Sequence, residues 1–123
     1  MATDLKARRT NSPVALAPFL VRAETEDARG NGVEVVPAQP NKVPYMEGYQ
    51  IASAVVAEVR VGHSAGSAGK TAIGVVEYMT AKSTTGARQF YEPMAGAVGQ
   101  NIGIHSTAAG HVEAVVWGYY AAP

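Results

Sequence analysis

The chain has 123 residues, 47% apolar, 16% charged and 7% aromatic, enough for one small domain and not for two. Lysine plus arginine and aspartate plus glutamate each number 10, so the net charge is zero, which speaks against nucleic acid or any partner held mainly through phosphate. No apolar run approaches the ~18 residues of a membrane span, no secretory signal is expected behind MATDLKARRT, and the lack of cysteine excludes disulfides, thiolate metal sites and cysteine nucleophiles.

Proline divides the chain unevenly. Five of the seven prolines, Pro13, Pro18, Pro37, Pro40 and Pro44, fall in the first 44 residues. Each fixes φ, removes a donor and pushes the preceding residue toward extended geometry. Residues 1–45 therefore read as an extended, proline-rich N-terminal arm. One or two edge strands are expected in it, at 14–21 and 33–36, on either side of the polar AETEDARGNG. At roughly 3.3 Å per residue such an arm spans up to about 150 Å. A leader of this kind does not satisfy its own backbone, so it is expected to lie on another polypeptide. Pro13, Pro18, Phe19, Val21, Pro37, Pro40 and Pro44 are its candidate contacts. Lys6, Arg8 and Arg9 form a small basic head that reads as solvated.

Residues 46–123 read as the folded head. In QIASAVVAEVRV (50–61), Ile51, Val55, Ala57, Val59 and Val61 share one face with Ser53, while Ala52, Ala54, Val56, Glu58 and Arg60 take the other. That period of two predicts a strand. Further strands are expected at 71–80, 88–91, 101–105 and 111–120, joined by segments rich in Gly, Ser and Ala. The alanine-rich stretches 52–59 and 95–98 are the only places where a helical turn competes. With 13 glycines and few leucines, an all-β domain is expected, of jelly-roll, other sandwich, or barrel type. A head this small without disulfides gains stability by association, so a homo-oligomer, dimer or trimer, is expected.

Three motifs bear on chemistry. Gly62-His63-Ser64-Ala65-Gly66 matches the G-x-S-x-G elbow of serine hydrolases, but an alternating strand follows it where that fold requires a helix. Residues 64–71, SAGSAGKT, nearly spell a phosphate-binding loop, with Ser64 where the first glycine belongs and no helix after Thr71. Both read better as a surface loop. His105 and His111 flank STAAG, and a hairpin there would bring them together, with His63 distant; their spacing is not a metal-ligand signature. No cofactor or metal is expected. Trp117 and Tyr119 share a face with Val115, and Tyr120 opposes them. These aromatics read as core plus subunit interface, with a ligand platform as the competing role.

The closing segment NIGIHSTAAGHVEAVVWGYY (101–120), with its glycine-marked turn, alternating strand and aromatic finish, is similar to the last hairpin of small jelly-roll or tulip-like virion proteins. With its proline-rich arm and Ala/Gly/Val-heavy strands, the whole chain resembles tailed-bacteriophage capsid decoration (cement) proteins. The resemblance implies a non-enzymatic structural protein of the virion. It would form trimers or dimers on the outer capsid, with arms bridging neighbouring major-capsid subunits. The alternative is a small β-sandwich binding module that recognises a carbohydrate or peptide through its surface aromatics.

Overall fold

The computed structural model describes residues 17–64 and 73–123. The described residues form nine strands: β1 (Ala17–Thr25), β2 (Val33–Val36), β3 (Val43–Ser53), β4 (Ala57–Ser64), β5 (Ile73–Met79), β6 (Ser83–Thr84), β7 (Arg88–Ala95), β8 (Asn101–Ser106) and β9 (Val112–Ala121). No helix occurs among the described residues. The first sheet runs β1-β9-β3, with β6 and β7 end to end along the far side of β3; the second runs β2-β8-β4-β5. All pairings are antiparallel, and four of them are nested: β1 with β9, β2 with β8, β3 with β7, β4 with β5. This is jelly-roll topology, a long hairpin wrapped into two facing sheets, so the all-β sandwich expected from the sequence is what forms.

The two inner faces meet in one core. Met46, Tyr49, Ile51, Val112, Ala114, Val116 and Tyr120 come from the first sheet, and Val36, Val59, Val61, Ile102 and Ile104 from the second. Each large side chain removed from water contributes about 1.5–3 kcal/mol. The predicted strand over 50–61 is two strands with a corner at 54–56, where the chain crosses from one sheet to the other. Ser53 makes that corner: its hydroxyl donates to the Val55 carbonyl at 2.7 Å and accepts the Val55 N–H at 3.1 Å. Ile51, Ala57, Val59 and Val61 are all buried as the alternation implied, because β3 and β4 face the same core.

The arm expected over 1–45 is corrected from residue 17 onward. β1 pairs with β9 in unbroken register, from Ala17 opposite Tyr120 to Thr25 opposite Val112. β2 pairs with β8, and β3 already begins at Val43. The expectation of one or two edge strands in this region holds, since β1 and β2 each lie at a sheet edge. Their partners are strands of the same chain. Pro13 and the rest of residues 1–16 lie outside the described residues.

A second correction concerns the closing segment. β8 belongs to the second sheet and β9 to the first, so residues 107–111 cross between the sheets and no final hairpin exists. At the opposite edge, β3 carries a bulge at Glu47, between Met46 and Gly48. Gly48 pairs with Gln89 while Met46 pairs with Met94, so residues 90–93 bow out from the ladder.

Candidate binding faces

The outer face of the first sheet is organised in cross-strand rows. One row reads Leu20, Trp117, Gly48 and Gln89, and the next Pro18, Tyr119, Tyr45 and Ala95. Beyond them lie Arg22, Val115 and Gln50, then Glu24, Glu113, Ala52 and Thr84. The rows are apolar and aromatic at one end and charged at the other. Leu20 is 74% exposed. The Tyr45 and Tyr119 rings are stacked, with centroids 4.9 Å apart and planes 15° apart. A Cβ on Gly48 would stand 2.5 Å from Trp117 Cζ2, so the indole lies directly over the glycine. Trp117 Nε1 donates to Gln89 Oε1 at 3.0 Å, which fixes the ring in the plane of the row. Tyr91, fully exposed on the bowed segment of β7, borders this face.

The charged end is a network. Arg22 pairs with Glu24 at 2.7 Å and with Glu113 at 3.2 Å. His111 Nε2 meets Glu113 Oε2 at 3.1 Å, and its Nδ1 meets Glu26. The hydrogen bond to Glu26, then that to Glu113, holds the imidazole above its ordinary value, so the cation is favoured. Glu113 in turn is held low, first by His111. Lys82 lines the same shallow groove as His111, together with Ser53 and Thr84.

Two polar contacts close the sandwich where the sheets face each other. Tyr49 donates its hydroxyl to Glu77 of β5, and Arg88 of β7 donates to the same carboxylate through Nε at 3.0 Å and a terminal nitrogen at 3.3 Å. Burial and then Glu77 keep the Tyr49 phenol protonated far above its usual range. Partial burial works to raise Glu77, but the hydrogen bonds from Arg88 and Tyr49 outweigh it and leave the carboxyl low. Near the other end, His63 is 2% exposed and its Nε2–H donates to the Met94 carbonyl at 2.8 Å. Its Nδ1 is buried without a hydrogen-bond partner among the described residues. Burial lowers its pKa, so the ring is held neutral.

The elbow-like motif does not assemble a nucleophile through the contacts seen here. The Ser64 hydroxyl donates to Asn101 Oδ1 at 3.0 Å, and Asn101 Nδ2 donates to Glu34 at 2.8 Å. An amide oxygen takes up no proton, so this contact does not activate the serine. The His63 ring is committed to the core on the opposite face of β4. Residues 65–72, which carry the rest of the phosphate-loop-like sequence, lie outside the described residues. His105 is on β8 in the second sheet and His111 precedes β9 of the first, so the crossing separates the two imidazoles that a hairpin would have joined. Among the described residues no three His, Asp or Glu side chains converge to hold a metal ion.

The expected contact residues are dispersed. Pro18, Trp117 and Tyr119 lie on the outer face just described. Pro37 and Pro40 are exposed in the β2–β3 connection, where the Pro37 carbonyl accepts the Tyr120 hydroxyl at 2.6 Å. Pro44 and Tyr120 are buried in this chain's own fold, and Phe19 and Val21 pack against its core, with Phe19 5.1 Å from the Tyr120 ring. Pro44 and Tyr120 are thus internal groups, while Phe19 and Val21 are half-buried. Leu20, which completes the outer apolar rows together with Tyr45, is not among the expected contact residues. The alternation around Leu20 signals its outward side only once β1 is known to pair with β9. No family model, curated protein or solved structure matches this chain.

Proposed function

We propose that the protein is a non-enzymatic structural component of a virus particle, a capsid decoration protein that oligomerises and clamps neighbouring major-capsid subunits. The observation that carries this is the apolar and aromatic outer face of the first sheet: Leu20, Pro18, Trp117, Tyr119 and Tyr45 in adjacent rows, with Arg22, Glu24 and Glu113 at its end. An exposed aromatic patch with a charged rim is the composition of a protein-binding surface. β1 opens at Ala17, at the edge of this face. Near-neutral charge suits a partner that is itself protein. The test is co-sedimentation of the full chain with undecorated heads assembled from candidate major capsid proteins. Saturable binding supports the proposal, and absence of the chain from the pellet at micromolar concentration refutes it.

A second reading is favoured by one feature. The indole over Gly48, fixed by Gln89, and the stacked Tyr45–Tyr119 pair make a flat aromatic platform of the kind that accepts a sugar ring or a peptide. A shift of Trp117 fluorescence on titration with a soluble glycan or peptide, without any shell binding, would favour this reading.

A further inference from the structure

The two sheets end in four edges, and three of them are blunted. β1 carries Pro18, Arg22 and Glu24. β2 is four residues long and bulged between Glu34 and Val36. The far side of β3 is covered by the two-residue β6 and by β7, which holds Arg88, Glu92 and Pro93 and bows out of the ladder. Proline, charge, shortness and bulges are what keep a strand edge from pairing with another chain. β5 lacks these devices. Its seven residues, IGVVEYM, contain no proline and follow β4 without a break in register. Among the described residues no strand lies on its other side. Its one charge, Glu77, is turned inward, where Tyr49 and Arg88 hold it. Gly74, Val76 and Tyr78 alternate on the outer face, and Tyr78 is 78% exposed.

We infer that two copies of this chain join through β5, edge to edge and antiparallel about a two-fold axis, so that their second sheets merge into one of eight strands. A second copy is the occupant because the strand complements itself. In a continuous sheet outward residues stand opposite outward residues, so an axis that pairs most of the strand passes through Val75, Val76 or Glu77. Centring on Glu77 sets two carboxylates against each other, which destabilises the pairing. Centring on Val75 leaves Tyr78 and Met79 beyond the end of the other strand. Centring on Val76 pairs all seven residues and puts Tyr78 of each copy opposite Gly74 of the other. The missing side chain leaves room for the ring, as Gly48 does for Trp117 within this chain. Backbone groups along both open edges gain partners at the same time. This seam names the surface through which the proposed structural protein oligomerises, and it rests on that reading in this respect alone; the outer face of the first sheet takes no part in it.

The test is sedimentation equilibrium of the full chain between about 1 and 100 µM, where a monomer–dimer equilibrium is expected, since a seam one strand long lies at the small end of specific interfaces. Val76→Lys and Val76→Glu each set like charges across the axis and should weaken the dimer at least tenfold. An equimolar mixture of the two should dimerise within threefold of the parent, because residue 76 faces only itself across the axis. Tyr78→Ala should weaken the dimer at least threefold, and Tyr78 is so exposed that this variant is expected to fold even if the Val76 variants do not. A parent chain that stays monomeric at 100 µM, as it would if the edge served a strand of another protein, would overturn the inference. So would unaltered association in Tyr78→Ala, or folded Val76 variants that associate like the parent or fail to recover on mixing. Co-sedimentation with heads is read separately: a monomer that binds heads overturns the seam and leaves the docking face standing, and a dimer that does not bind them does the reverse.

Discussion

Gly48 shows what single residues decide in this fold. A methyl group there would stand 2.4 Å from the Arg88 carbonyl and 2.5 Å from the Trp117 ring. The glycine is what lets the indole lie down across β3. Gly48→Ala should cost about 1–3 kcal/mol by overpacking. It should also alter the Trp117 emission spectrum, because the only tryptophan is displaced. Urea unfolding followed by fluorescence checks both, and an unaltered midpoint and spectrum would contradict the packing described.

The two well-placed histidines have opposite effects on stability. His63 has its pKa lowered from 6.5 by burial, so its contribution is full above pH 6.5 and declines as pH falls below that value, where the unfolded chain takes up the proton more readily. His111 has its pKa raised above 6.5 by Glu26 and Glu113, with Arg22 and Glu24 in the same network, so its contribution is full below pH 6.5 and is lost as pH rises through the folded value. Urea midpoints between about pH 5 and 8 should therefore separate the variants. His63→Gln should flatten the acid side of the profile and His111→Gln the alkaline side. Profiles parallel to that of the parent protein would contradict both assignments.

At the scale of elements, β1 belongs to the folded body. Phe19, Val21 and Ala23 face the core, and its ladder covers the edge of β9. A chain lacking residues 1–16 should melt cooperatively like the full protein. One lacking residues 1–25 should expose the β9 edge and self-associate or lose the cooperative transition. Circular dichroism melts with light scattering distinguish these results, and a stable monomer lacking β1 would contradict the register.

The same strand marks the limit of what the sequence discloses. Alternation over 112–120 separates the outward Trp117 and Tyr119 from the buried Tyr120, and alternation over 57–61 gives the inner face of β4. Both are period-two patterns with one wet side. The density of prolines suggests an unpaired arm. In the fold they stand where a missing N–H costs least: Pro18 near the start of an edge strand, Pro37 and Pro40 in a connection, and Pro44 at the second residue of β3. The β3–β4 corner was hidden for another reason. Ser53 preserves the alternation while its hydroxyl turns the chain. The open edge of β5 follows from the order of strands in the second sheet, and no local spacing encodes that order.

At the scale of the molecule, the jelly roll separates two surfaces on opposite sides of one core. The outer face of the first sheet is apolar and aromatic over half its rows, while that of the second carries Glu58, Arg60 and His105. Such an arrangement suits a body that seats on a protein surface with one side and leaves the other in solvent. Leu20→Asp alters an exposed apolar side chain on the edge strand of the outer face proposed to dock, and should change folding stability by no more than about 0.5 kcal/mol. The most direct measurement is the apparent affinity of the full chain for undecorated heads by co-sedimentation, compared with Leu20→Asp of matching melting temperature. The account predicts saturable binding by the parent chain and at least a tenfold loss in the variant. Equal binding by the two proteins, or no binding by either, would contradict it.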